Sequence, residues 1–153
     1  MRRVFTAAIT LLLSSVPAIA ADGADLYTRC AACHLPTGEG VPGTYPPLAD
    51  HIGHFGISPE GRAYLVAVIT KGVMGKLEVN GESYRGMMPA QGHEFSDDDL
   101  AALLNYLMTT FPPQGKAKPF TTEEVASLKA QTAGLTPNAV LKVRPPLDEG
   151  NSK

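Results

Sequence analysis

The pentapeptide CAACH, residues 30–34, contains both cysteines of the 153-residue chain and one of its four histidines. A catalytic dithiol would need a preceding strand in a βαβ context, and a zinc site would need four ligands at a recognisable spacing. The residues before the motif predict no strand, and His51, His54 and His93 follow no zinc-finger spacing. A Cys30–Cys33 disulfide would close too small a loop to add much stability.

Covalent haem attachment is the remaining interpretation, because C-x-x-C-H is its signature. The cysteines stand three residues apart, so on a helix both thiols face the same side. There they can bond to the two vinyl groups of a haem as thioethers, and the following His34 can bind the iron. We therefore expect one haem c, attached covalently through Cys30 and Cys33, with His34 as an axial ligand.

The first residues predict export. Arg2 and Arg3 precede an uncharged apolar run from Val4 to Val16, and Ala18-Ile19-Ala20 has the small residues of a cleavage site. This pattern predicts a signal peptide at 1–20 and a mature protein in an oxidising space, the periplasm. No second apolar run approaches the roughly 20 residues that cross a bilayer, so we expect no membrane span after cleavage.

Charge is unevenly distributed along the chain. Residues 21–112 hold 5 Lys and Arg against 11 Asp and Glu, a net of −6, whereas residues 113–153 hold 6 against 4, a net of +2. An acidic first portion argues against nucleic acid as a partner. It favours a protein partner with a basic or mostly apolar docking surface.

Helix signals appear at four places, together with one hairpin signal and an aperiodic tail. Helices are predicted from about Ala24 into CAACH, from Ser58-Pro59 to Gly72, from Ser96 to Phe111, and from Thr121, where Thr121 and Glu124 fit a capping box. Asn80-Gly81 predicts a hairpin turn. Residues 135–153 lack periodicity and predict an extended or disordered terminus.

Three segments carry a resemblance to a known family: CAACH, YPPL at 45–48, and VNGESYRGMMPAQG at 79–92. With them the sequence resembles a class I c-type cytochrome, of the monohaem, His/Met-ligated bacterial periplasmic kind, over roughly residues 22–111. The resemblance implies an all-α cytochrome c fold, with three to four core helices around one covalent haem. Residues 21–112 would form the haem domain, and 113–153 a C-terminal extension with a short helix.

The resemblance also implies the second axial ligand and the partner of the first. In this family the ligand methionine commonly stands just before a proline, which selects Met88 over its neighbour Met87; proline also restricts the residue before it to an extended conformation. His93 is a further candidate for the sixth position. A proline carbonyl, by position that of Pro46 rather than Pro47, would accept from the other ring nitrogen of His34 and orient the ring.

The resulting interpretation is an electron carrier and not an enzyme. The protein would carry one electron on its haem and serve as the partner or subunit of a periplasmic dehydrogenase or of a terminal oxidase or reductase. The alternative is a haem protein with an open or labile sixth position, acting as an enzyme or gas binder. The extension either packs against the haem domain or binds a dehydrogenase, and the sequence leaves both open.

Overall fold

The computed structural model describes residues 21–147. The predicted signal peptide at 1–20 and the last part of the tail, 148–153, lie outside the described residues. The helices are α1 (Gly23–His34), α2 (Pro59–Lys71), α3 (Asp97–Thr110), α4 (Thr122–Gln131) and α5 (Pro137–Lys142), with 3-10 turns at Ile52–Gly56 and Gly92–Glu94. The strands β1 (Val73–Val79) and β2 (Glu82–Met88) form one antiparallel hairpin.

The helix boundaries follow the predicted capping residues. The Ser58 side chain accepts from the Gly61 amide, and Gly72, with φ of 75°, ends α2. Ser96 and Asp99 form a reciprocal capping box at the start of α3. Each such cap satisfies amide groups that the first turn of a helix leaves unpaired.

The hairpin confirms the turn signal in the sequence. Asn80 and Gly81 both have positive φ, 50° and 78°, as a two-residue hairpin turn of this type requires. Seven residue pairs follow, from Val79 with Glu82 to Val73 with Met88. The chain is therefore mostly helical, as predicted, with one small sheet.

Helix α1 packs closely against α3. A Cβ atom on Gly23 would collide with the Ala102 carbonyl, so only glycine permits this close approach. The rings of Tyr27 and Tyr106 lie 5.4 Å apart, centre to centre, and are tilted by 41°. The fully buried side chains of α3 are Leu100, Leu103 and Leu104. Each contributes about 1.5–3 kcal/mol by leaving water.

The first part of the extension is anchored through Arg62 on α2, which is 6% exposed. Its Nε and Nη2 donate to the two carboxylate oxygens of Glu124, both at 2.6 Å. Its guanidinium also lies 3.5 Å from the centre of the Phe120 ring. The predicted capping box at Thr121 is therefore only half formed: Thr121 accepts from the Glu124 amide, but the Glu124 carboxylate binds Arg62 instead.

The prediction of an extended or disordered tail from residue 135 was wrong for its described part. α5 begins after Thr136, whose hydroxyl accepts from the Ala139 amide at 3.3 Å, and Pro137 is its first residue. Val140 is fully buried. A six-residue helix is too short to show a periodic apolar stripe, and its stability comes from tertiary packing.

None of the helices within residues 21–147 is both long and apolar enough to cross a membrane.

Candidate functional site

The two cysteines lie on the C-terminal half of α1. Asp22 caps this helix by accepting from the Ala24 amide at 3.0 Å, and the helix then runs unbroken to His34. Cys30 and Cys33 are free and half-buried, and Cys30 packs against the hydrophobic core. Burial raises the pKa of the Cys30 thiol. The three-residue spacing places both sulfurs on one side of the helix.

The helix ends directly after the histidine. Leu35 has φ of 65°, a left-handed conformation that costs a residue with a side chain on the order of 1 kcal/mol. Its amide donates to the Ala31 carbonyl at 3.0 Å, and the Tyr27 hydroxyl donates to the Leu35 carbonyl at 2.8 Å. These two bonds hold the sharp turn and so fix where the His34 side chain leaves the helix.

The His34 ring is oriented by a backbone carbonyl. Its Nδ1 lies 2.8 Å from the Pro46 oxygen, and the residue is only 8% exposed. A carbonyl oxygen can only accept, so Nδ1 carries the proton and Nε2 keeps its lone pair. Burial lowers the pKa of His34, against a smaller opposing effect of this hydrogen bond. A neutral imidazole with a free Nε2 is the form that binds a metal.

The loop between His34 and Pro46 is built to present that carbonyl. The Gly40 amide donates to the His34 carbonyl at 3.0 Å, and the Leu48 amide donates to the Gly38 carbonyl at 2.7 Å. Gly40 has φ of 67°, and a Cβ there would collide with the carbonyls of Tyr45 and Pro46. The loop therefore places Pro46 on the imidazole, which is the contact that the family resemblance assigns to it.

The methionines lie at the base of the hairpin. Met88 pairs with Val73 and Met87 with Met74, so Met87 and Met74 share one face and Met88 points the other way. Met87 is 62% exposed and Met74 41% exposed, whereas Met88 is half-buried. Of the two adjacent sulfurs, Met88 has the inward position.

The backbone around Met88 is packed on the end of α2. A Cβ on Gly72 would collide with the Met88 carbonyl, and the Gln91 amide donates to the Ile69 carbonyl at 2.8 Å. The cysteines and His34 thus share one helix and Pro46 joins them by a hydrogen bond, whereas Met88 stands on a separate element, 54 residues from His34 in the chain.

The remaining histidines occupy different surroundings. His93 is at the surface beside Glu94. His51 is buried, with Nε2 3.4 Å from Nη2 of Arg144, and it lines a cavity of about 280 Å³ with His54. Burial, and then Arg144 and His54, lower the pKa of His51 to about 4.

The site fits a covalently held haem better than a zinc ion. Within residues 21–147 no three His, Cys, Asp or Glu side chains gather as a metal-binding group. The structure has two thiols on one helix face, followed by the buried imidazole of His34, whose Nδ1 is hydrogen-bonded to the Pro46 carbonyl.

Comparison with known proteins decides the family. The model of the family described as Cytochrome c matches residues 20–111. The chain belongs to the cytochrome c family. Two cytochromes c-552 from Thermus thermophilus are similar to it: one is 41% identical over 137 residues, covering 88% of this chain and 90% of the relative, and the other 42% identical over 127 residues, covering 81% and 95%.

Membership of this family has direct consequences for the cofactor and the activity. This cytochrome carries covalent haem c and is an electron-transfer protein. The predicted fold is thereby confirmed as well. The match that covers 88% of this chain must reach beyond residue 112 wherever it begins, so it includes part of the extension. The sequence showed no resemblance there.

Sequence reasoning missed two arginines that shape the structure around the site. Arg62 has the helical spacing of the apolar stripe Leu65, Val66 and Ile69, and a charge in such a stripe signals a buried ion pair. Arg144 stands in the tail and gave no comparable signal, because its neighbours His51 and Phe55 are distant in sequence.

Proposed function

We propose that this cytochrome transfers single electrons in the periplasm, through a haem bound by Cys30 and Cys33 with His34 and Met88 as axial ligands. The observation that carries the proposal is the hydrogen bond of His34 to Pro46 within a CAACH motif. It leaves the second ring nitrogen free and in the correct tautomer for iron.

Each residue has a distinct part in this proposal. When bound, haem c supplies an iron that alternates between the ferrous and ferric states. The Cys30 and Cys33 thiols would attach the group as thioethers, and His34, with its orientation set by Pro46, would bind the iron. The Met88 sulfur would be the second ligand, and a thioether ligand raises the reduction potential relative to a second histidine.

Keeping both ligands in place is what makes this arrangement a carrier. Since neither His34 nor Met88 has to leave, little rearrangement accompanies the change of oxidation state. The alternative of an open sixth position would need an inward-facing site without a sulfur. The half-buried Met88, pointing opposite to the exposed Met87, favours the closed arrangement.

The proposed organisation of the chain is a signal peptide at 1–20, a haem domain at 21–112 and an extension at 113–153. The basic and apolar start of the sequence supports export. The family match over residues 20–111 is in keeping with the haem domain.

The proposed partners are a periplasmic dehydrogenase and a terminal oxidase or reductase. With a net charge of −6 over residues 21–112, the haem domain suits a partner with a basic docking surface. Rates of electron transfer to such a partner should fall as salt rises above about 0.1 M, where charges are screened beyond roughly 10 Å.

The proposal is tested on the exported, haem-loaded protein. Mass spectrometry should find the chain cleaved after Ala20 and heavier by one haem. The ferric spectrum should show the weak band at its red end that reports sulfur ligation, and the reduced protein should not bind carbon monoxide rapidly. Rapid carbon monoxide binding without that band would favour the open-site alternative.

A further inference from the structure

The hairpin that carries Met88 needs support from elsewhere in the protein. A two-stranded hairpin is marginally stable by itself in water. One face of this hairpin, with Met74, Lys76 and Met87, is exposed. Its stability therefore depends on what packs against the other face.

Two elements provide that support. The end of α2 supports the end of the hairpin that carries Met88. Gly72 packs against the Met88 carbonyl, and the Gln91 amide donates to the Ile69 carbonyl. Along β1 the support comes from α5, the helix of the extension, which packs against this strand and against α2.

Leu141 of α5 lies against β1 at Gly75. A Cβ atom on Gly75 would lie 2.9 Å from Leu141 Cδ1, so the leucine occupies the space that a side chain at position 75 would need. Gly75 pairs with Gly86, which leaves the hairpin without a side chain of its own at this step. Val140, fully buried beside Leu141, anchors α5 in the core.

This contact is close to the methionine. Gly75 lies two residues from Val73, the cross-strand partner of Met88, which is about 7 Å along a strand. Residues two apart in a strand face the same way, so Gly75 and Val73 lie on one face of β1. Leu141 therefore packs on the same face of the hairpin as Met88, the cross-strand partner of Val73. Loss of the leucine side chain would loosen β1, and with it the end of the paired strand β2 that carries Met88.

We propose that α5 holds the hairpin in place so that the Met88 sulfur stays on the iron, with Leu141 as the positioning residue. This inference rests on the proposed ligation by Met88. It assigns to the extension a role within the electron carrier itself: a chain segment outside the family-model match keeps the sixth ligand from dissociating.

The test compares Leu141→Ala with Leu128→Ala in the full-length, haem-loaded protein. Leu128 lies on α4 and is packed against the core, so its truncation removes the same atoms from the same extension at a site away from the hairpin. Two readouts are taken: amide hydrogen exchange of β1 and β2, and the pH at which the ferric protein loses its red-end sulfur band.

Leu141→Ala should speed exchange of the hairpin amides about tenfold, as expected for a local opening that becomes easier. The pH at which the sulfur band disappears should fall by about one unit. A sulfur ligand that is about tenfold weaker competes less well for the iron with side chains that lose their protons at high pH. Leu128→Ala should change neither readout, although both variants lower the thermal unfolding midpoint. Leu141→Val, a milder change, should give smaller shifts in the same direction.

Each other outcome is decisive. A normal sulfur band with unchanged hairpin exchange in Leu141→Ala and Leu141→Val would overturn the positioning role alone. Equal effects of Leu128→Ala would also overturn it, because the extension would then act only through global stability. A wild-type protein without the band, unaffected by Met88→Ala, would overturn the ligand assignment and the positioning role with it.

Discussion

The end of α1 and the β1–β2 hairpin carry the proposed haem-binding side chains, and these side chains are positioned in different ways in the two regions. In α1 the two thiols and the imidazole occupy five consecutive residues, and Pro46, twelve residues on, completes the arrangement. The hairpin that carries Met88 packs against the end of α2 and against α5, which begins almost fifty residues later in the chain. The α1 half of the proposed site is formed by residues that are close in sequence, whereas the Met88 half depends on the packing of distant segments.

The largest effect should come from substitutions in the α1 half of the proposed site. Replacing Cys30 and Cys33 together by alanine removes both thioethers, so the chain should hold no covalent haem on a denaturing gel stained for haem. Ala32→Ser, an exposed change within the same motif, should leave the stain unchanged. Retention of covalent haem by the double variant would refute the attachment.

The next largest effect should separate the two methionines. Met88→Ala should abolish the red-end ferric band and lower the reduction potential, because a sulfur ligand is lost. Met87→Ala should preserve both, since Met87 is 62% exposed and faces away. The reverse result would mean that the hairpin register in the haem-loaded protein differs by one residue.

Arg62 tests how strongly the extension is tied to the haem domain. Arg62→Met should lower the free energy of unfolding by about 3 kcal/mol, because it leaves Glu124 without its partner and frees three backbone carbonyls. Chemical denaturation of the haem-loaded protein measures this. The control is Arg29→Met, which breaks the exposed ion pair with Glu94 and should cost less than about 1 kcal/mol. Equal costs would show that the extension is only loosely attached.

His51 connects the extension to pH. Its pKa is lowered from 6.5 to about 4 in the fold, so the unfolded chain binds a proton more readily between these values. Its contribution to stability is therefore complete above pH 6.5 and is lost as the pH falls to 4, by at most about 3 kcal/mol. Arg144 and His54 face the ring, and Asp50 and Glu78 line the same cavity.

His51→Gln should flatten this part of the curve of unfolding free energy against pH. His93→Gln, at an exposed histidine, should leave the curve as in the wild type. An unchanged slope in His51→Gln would mean that the ring is not held neutral by its burial.

The smallest effect should come from Pro46→Ala. The carbonyl that accepts from His34 belongs to the backbone and survives the substitution, so the spectrum should be unchanged. Stability should change by no more than about 1 kcal/mol, the usual effect of losing a proline restriction. Pro47→Ala serves as the control. A changed spectrum in Pro46→Ala alone would show that the proline ring, and not only its carbonyl, orients the imidazole.

Much of the fold was predictable because its signals are short-range. Ser58, Ser96 and Thr121 each satisfy amides within three residues, so their helix starts could be read directly from the chain. Asn80-Gly81 predicted the hairpin turn for the same reason. Glu124 shows the limit: its spacing from Thr121 predicted a capping box, but a buried arginine 62 residues away offers two charge-assisted hydrogen bonds, which are stronger.

By itself, the sequence determined the covalent chemistry of this cytochrome, because two thiols and an imidazole on one helical turn need only a helix to face the same way. Tertiary structure alone decided how α5 packs on the hairpin and how Arg144 meets His51, because neither contact has a periodic or local signature. Burial of Val140 stabilises a helix too short to form by itself. Segments that lack a stripe or a motif acquire their structure only from the surface they cover.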